Sequence, residues 1–119
     1  MSVASKLQLK PGQSIALLRK PSETDLDVDL EEDPASADAA LVFVTRAQDL
    51  ASPEVDAVVA AARRDALAWV AYPKAGKLGT DLNRDSLAAL ISERGVRPVR
   101  QISVDDTWSA LRFRPAGSS

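Results

Sequence analysis

The chain has 119 residues, 45% hydrophobic and 27% charged, which is the size and balance of one compact domain; no apolar run approaches the roughly 20 residues of a membrane span. With no cysteine and no histidine, disulfides, thiolate catalysis and zinc–thiolate sites are excluded, and the commonest general base and metal ligand are missing. The net charge of −2 is unevenly laid out: residues 1–59 carry five Lys/Arg and eleven Asp/Glu, residues 60–119 ten and six, which fits an anionic ligand on the basic side, head-to-tail self-association, or plain solvated surface.

Residues 1–12 contain lysines but no apolar segment followed by a small-residue cleavage site, which predicts a cytoplasmic location. Lys10-Pro11-Gly12 marks a turn, and Ile15-Ala16-Leu17-Leu18 reads as a short buried strand ended by Lys20-Pro21. In Asp25-Leu26-Asp27-Val28-Asp29-Leu30 strict alternation predicts a half-exposed edge strand. Asp25, Asp27 and Asp29 also have the spacing that opens an EF-hand loop, but Leu30 stands where glycine is needed and Ser36 where the bidentate glutamate belongs. A solvated strand face is the better reading.

Ala40-Leu41-Val42-Phe43-Val44 and residues 67–72 are apolar on both faces, as central strands covered by helices are. Between them Ser52 is a good N-cap with Pro53 at the first helical position, and Val55, Val58, Val59 and Ala62 follow helical spacing. A second helix is predicted from Asn83 through Leu87, Leu90 and Ile91 to Arg94, with Gly95 supplying the left-handed position after it. Residues 96–104 then form a strand, Asp105-Asp106-Thr107 a tight connection, and residues 108–114 the second arm of an antiparallel hairpin. Residues 115–119 are expected to fray. The predicted core holds Leu41, Val42, Val44, Val58, Val59, Trp69, Leu87, Leu90, Ile91 and Phe113.

Strand, helix, strand, helix, strand, strand predicts a single α/β domain over residues 1–119: a Rossmann-like three-layer sandwich with a mostly parallel sheet ending in an antiparallel C-terminal hairpin. That order resembles the second half of the S-adenosylmethionine-dependent methyltransferase fold. A cofactor is nevertheless not expected. The turn after the first strand, Arg19-Lys20-Pro21-Ser22-Glu23, lacks the glycines that let backbone N–H groups approach a phosphate, and too few residues precede the acidic strand for a helical crossover.

In parallel strands the loops after Tyr72 and Val104 share the carboxyl edge, where open α/β sheets bind ligands. Lys74, Asp81, Arg84, Asp105, Asp106 and Trp108 are therefore expected to form one cluster there, with mixed charges and an aromatic surface. Each has a structural alternative: Thr80, Asp81 or Asn83 as helix caps, Arg84 as the ion-pair partner of Asp105 or Asp106, and Trp108 as core. Val70-Ala71-Tyr72-Pro73-Lys74, Thr80-Asp81-Leu82-Asn83-Arg84-Asp85 and residues 104–113, VDDTWSALRF, resemble the signature of a bacterial family of small proteins classed as a domain of unknown function. Leu9-Lys10-Pro11-Gly12 is similar too. The resemblance covers about the last half of the chain; it implies the α/β fold and no activity.

The leading expectation is a non-enzymatic binding or regulatory module for a small anion or a protein partner. The alternatives are an enzyme at the carboxyl edge, with Lys74 or Arg84 holding an anion and Asp81, Asp105 or Asp106 moving protons, and a homo-oligomer joined through a sheet edge. Nucleic acid ranks last, because the chain as a whole is acidic.

Overall fold

The fold is given by a computed structural model, which describes residues 7–9, 13–19, 36–74 and 77–116. Five strands form one sheet: β1 (Ile15–Leu18), β2 (Ala39–Phe43), β3 (Leu67–Pro73), β4 (Val96–Ser103) and β5 (Trp108–Pro115), in the order β1-β2-β3-β5-β4. Helix α1 (Pro53–Arg63) joins β2 to β3, and α2 (Arg84–Ser92) joins β3 to β4. The turn predicted at residues 10–12 and the strand predicted at residues 25–30 lie outside the described residues, as does most of the turn at residues 19–23.

The helices start where their caps dictate. Ser52 Oγ accepts from the Val55 N–H, with Pro53 needing no partner at the first position. For α2, Asn83 Oδ1 accepts from the Ser86 N–H while Ser86 Oγ accepts from the Asn83 N–H, a reciprocal capping box. After α2 the chain turns at Gly95, with φ +86°, where a side chain would be strained. The turn after α1 instead uses Asp65 at φ +63°, and its carboxylate makes two bonds of 2.9 Å to Arg114 of β5.

The sheet is mixed, which corrects the expectation of a mostly parallel one. β1–β2 and β2–β3 are parallel, whereas β3–β5 and β4–β5 are antiparallel. The last strand is not a terminal arm; it inserts between β3 and β4, so β4 is the edge. Pro115 and Ala116, expected to fray, are held in place: β5 includes Pro115 and the Ala116 N–H reaches Gly95 O at 3.1 Å, while residues 117–119 lie outside the described residues.

Alternation splits the sheet into two faces. Ala40, Val42, Ala68, Val70, Leu111 and Phe113 pack against Val55, Val58 and Val59 of α1 and Leu87 and Ile91 of α2. Leu7, Ile15, Leu41, Phe43, Trp69 and Trp108 form the buried cluster of the other face. Both helices thus cover one face, so among the described residues the third layer of a sandwich is not seen. Crossovers are right-handed as a rule, and β2, β3 and β4 are laid down in one direction across the sheet, so their helices must share a side.

Of the predicted core, Leu90 alone is on the wrong side, 40% exposed. The short helix buries the i, i+4 pair Leu87 and Ile91, which turns Leu90 outward. Leu87→Ala should therefore cost about 2–5 kcal/mol and Leu90→Ala under about 1 kcal/mol. Equal urea midpoints for the two variants would contradict this register.

Candidate functional site

The two segments expected at the carboxyl edge do meet. The Lys74 N–H donates to Thr107 O at 2.7 Å, and Lys74 Nζ donates to Ser103 Oγ at 2.7 Å. On the helix-covered face beside this junction, Tyr72, Lys74, Asn83, Arg84, Gln101 and Ser109 line a depression of about 270 Å³. Register explains its make-up: Tyr72 stands opposite Ser109, and Ser109 opposite Ser103, so these side chains share one face, and Gln101 lies two residues before Ser103 on β4.

Gln101 Nε2 donates to the Tyr72 hydroxyl at 2.9 Å. Burial pushes the Tyr72 phenol up; the smaller influences are Arg84, which opposes this, and Asp85, which reinforces it. The phenol therefore stays protonated near neutral pH, and its proton has no acceptor among the described residues. Arg84 is half-exposed and pairs with Asp85 at 3.3 Å, not with Asp105 or Asp106 as one alternative had it.

The other predicted members have different duties. Asp81 Oδ1 accepts from the Ala47 N–H at 2.8 Å, while Thr80 Oγ1 donates to Thr45 O, so this segment is stitched to the loop after β2. Asp105 Oδ1 accepts from the N–H groups of Thr107 and Trp108, both at 2.8 Å, and closes the hairpin. Asp106 is exposed at the hairpin tip. Trp108 is 3% exposed on the opposite face, edge-on to Phe43 with ring centroids 5.1 Å apart. Thus Lys74 and Arg84 share the depression, Asp81 and Asp105 are tied to backbone, and Trp108 is core.

Tyr72 and Ser109 were inside the segments singled out by sequence but were not named as ligands; Gln101 was missed. The period-2 alternation of the strands was the signal that pairs them, since odd-numbered residues of β5 share a face with Tyr72.

At the neighbouring strand end, Asp49 accepts from the Thr45 and Arg46 N–H groups at 2.9 and 3.0 Å and pairs with Arg19 at 3.2 Å. Burial alone would raise its pKa, but those two hydrogen bonds and the charges of Arg19 and Arg46 together lower it. A carboxylate whose folded pKa lies below its unfolded value adds stability that is complete above about pH 4 and is lost as pH falls through the folded value. Urea midpoints should accordingly drop between pH 6 and pH 3, and Asp49→Asn should reduce that drop; an unchanged drop would remove Asp49 from the account.

These features define an α/β protein with a mixed five-stranded sheet and a donor-rich hollow at its carboxyl edge. No family model matches the chain, and no curated protein matches it either. No helix among the described residues is long and apolar enough to cross a membrane, and no three of their acidic side chains group as a metal site would.

Proposed function

We propose that the protein is a binding module that takes a small organic anion at the carboxyl edge of its sheet. One observation carries this reading: the depression gathers a lysine, an arginine and a protonated tyrosine, and no carboxylate lines it. Such a set offers donors to a negative group, and Asp85, the carboxylate beside it, is paired with Arg84 at 3.3 Å and lies outside the lining. Binding is favoured over catalysis because Asp81 and Asp105, the proton-handling candidates, both accept backbone N–H bonds away from the hollow. The module is read as an incomplete methyltransferase-like sheet. Its support is β5 running antiparallel between β3 and β4, the way that sheet ends. Membership of the domain family of unknown function suggested by the Tyr72-Pro73-Lys74 and Thr80–Asp85 segments is part of the same proposal.

The test is a thermal-shift panel of malonate, malate, citrate and glycerol phosphate. A ligand at 100 times its dissociation constant stabilises by about 2.7 kcal/mol, which is easily seen. At least one member should stabilise the parent saturably. Silence across the panel would overturn the reading.

A further inference from the structure

The face of the sheet that carries no described helix bears a second, unrelated concentration of charge. Even-numbered residues of β5 point to this face with Trp108 and Ala110, so Arg112 and Arg114 do as well. On β4, Arg97 stands directly opposite Arg114 and Arg100 directly opposite Arg112. Four guanidinium groups thus occupy two successive cross-strand pairs in a chain whose net charge is −2. Like charges directly opposite each other destabilise a sheet.

Among the described residues one carboxylate, Asp65, compensates the four. It neutralises Arg114 through paired bonds of 2.9 Å, and its charge also reaches Arg112 and Arg97. Arg112 Nη1 donates to Gln8 Oε1 at 2.6 Å, a neutral acceptor, and its Nε is buried without an acceptor among the described residues. The Arg97 and Arg100 side chains are exposed, and among the described residues neither guanidinium makes a hydrogen bond or close ion pair. Trp69, which stands opposite Arg112 across the β3–β5 ladder, also buries its Nε1–H with no acceptor among the described residues. Arginines on an edge strand do guard against unwanted pairing, and Pro98 and the register shift between Pro98 and Arg100 serve that end on β4. That purpose does not extend to Arg112, which is on an interior strand.

We propose that Arg97, Arg100 and Arg112 form a binding site for a compound carrying two or more adjacent phosphoryl groups. Guanidinium forks match phosphoryl oxygens, and each bond is charge-assisted. The charges are spread over about 5 Å across the strands and about 7 Å along them. A single phosphate bridges the Arg100–Arg112 pair; a diphosphate reaches Arg97 as well. The aromatic rings on this face, Phe43, Trp69 and Trp108, are buried, so bases have nothing to stack on, which favours a compact polyphosphate over single-stranded nucleic acid. The site is separate from the carboxyl-edge depression, which opens on the other face of the sheet.

Electrostatic strain makes the proposal testable in two directions at once. Calorimetric titration with inorganic pyrophosphate, and in parallel with ATP, should give saturable binding to the parent protein; tighter ATP binding would assign a nucleotide, equal binding the phosphoryl chain alone. Arg97→Gln and Arg100→Gln should each weaken pyrophosphate at least about ten-fold. In the same variants the ligand-free thermal midpoint should hold or rise by about 1–3 °C, because a repulsion has been removed. Arg63→Gln, at the end of α1 on the helix-covered side of the sheet, should leave pyrophosphate affinity unchanged. Absence of saturable pyrophosphate and ATP binding, or affinities indifferent to both arginine variants, would overturn the proposal. So would an oligonucleotide that binds where pyrophosphate does not.

Discussion

Phe113→Ala is expected to lower the unfolding free energy by about 3–5 kcal/mol, with the slope of the urea transition unchanged. Phe113 is 1% exposed and stands opposite Ala68 of β3 on one side and Pro98 of β4 on the other, beneath the two helices. Its removal opens a cavity bounded by two strands and the helical layer, which cannot collapse without moving all of them. Domains of this size are stable by about 5–15 kcal/mol, so the variant should lose about a fifth or more of the total. Were β5 the outer arm of a terminal hairpin, one flank of Phe113 would face solvent and the cost would fall well below that range.

The second large effect concerns binding. For whichever small anion stabilises the parent, Arg84→Gln and Lys74→Gln should each raise the dissociation constant by about 10- to 100-fold, the range of one charge-assisted hydrogen bond. The variants should differ in their effect on folding. Arg84 is half-exposed and pairs with the adjacent Asp85, a contact of little weight for stability, so its loss should be felt in binding alone. Lys74 Nζ also bonds Ser103 and thereby helps to hold the β3 end to the β4 end; its loss should add a modest drop in stability. Tyr72→Phe gives a third comparison: it keeps the ring in the core and removes the donor at the floor of the hollow. An affinity that is the same in Tyr72→Phe as in the parent would take the phenol out of the site.

Local features were legible in the sequence because local physics fixes them. Ser52-Pro53 and Asn83 announce their helices, Gly95 ends one, and residues 40–44 and 67–72 are apolar on both faces because both faces are buried, one under the helices and one in the opposite cluster. The hairpin at Asp105-Asp106-Thr107 was equally plain, since three residues allow little else. Strand order was not legible from the hairpin itself. A hairpin specifies that β5 pairs with β4 but not on which side of β4 it lies, and that choice turns a hairpin at the end of the sheet into an interior strand. Among the described residues the edge on this side of the sheet is β4, guarded by Arg97, Pro98 and Arg100.

The candidate site was half legible. That Lys74 and Arg84 end at one sheet edge follows from parallel strands and right-handed crossovers. Asp81 and Asp105 could not be separated from it by sequence, because a short acidic side chain in a loop serves a backbone N–H as readily as a ligand. Trp108 could have been separated: it alternates with Ser109, so only one of the two faces Tyr72, and the small polar residue is the one that leaves room for a hollow. Leu90 shows the limit of periodicity, since Leu87, Leu90 and Ile91 all fit helical spacing and only packing decides which pair turns inward.

The most direct test of anion binding at the carboxyl edge is an amide chemical-shift map of the ¹⁵N-labelled protein, recorded while the stabilising anion is titrated in. Shifts are expected to concentrate at Lys74, Asn83, Arg84, Gln101 and Ser109, saturating with one dissociation constant and absent in Arg84→Gln, with Arg97 and Arg100 unmoved. Shifts centred on Arg97, Arg100 and Arg112, or scattered without saturation, would contradict binding at this edge.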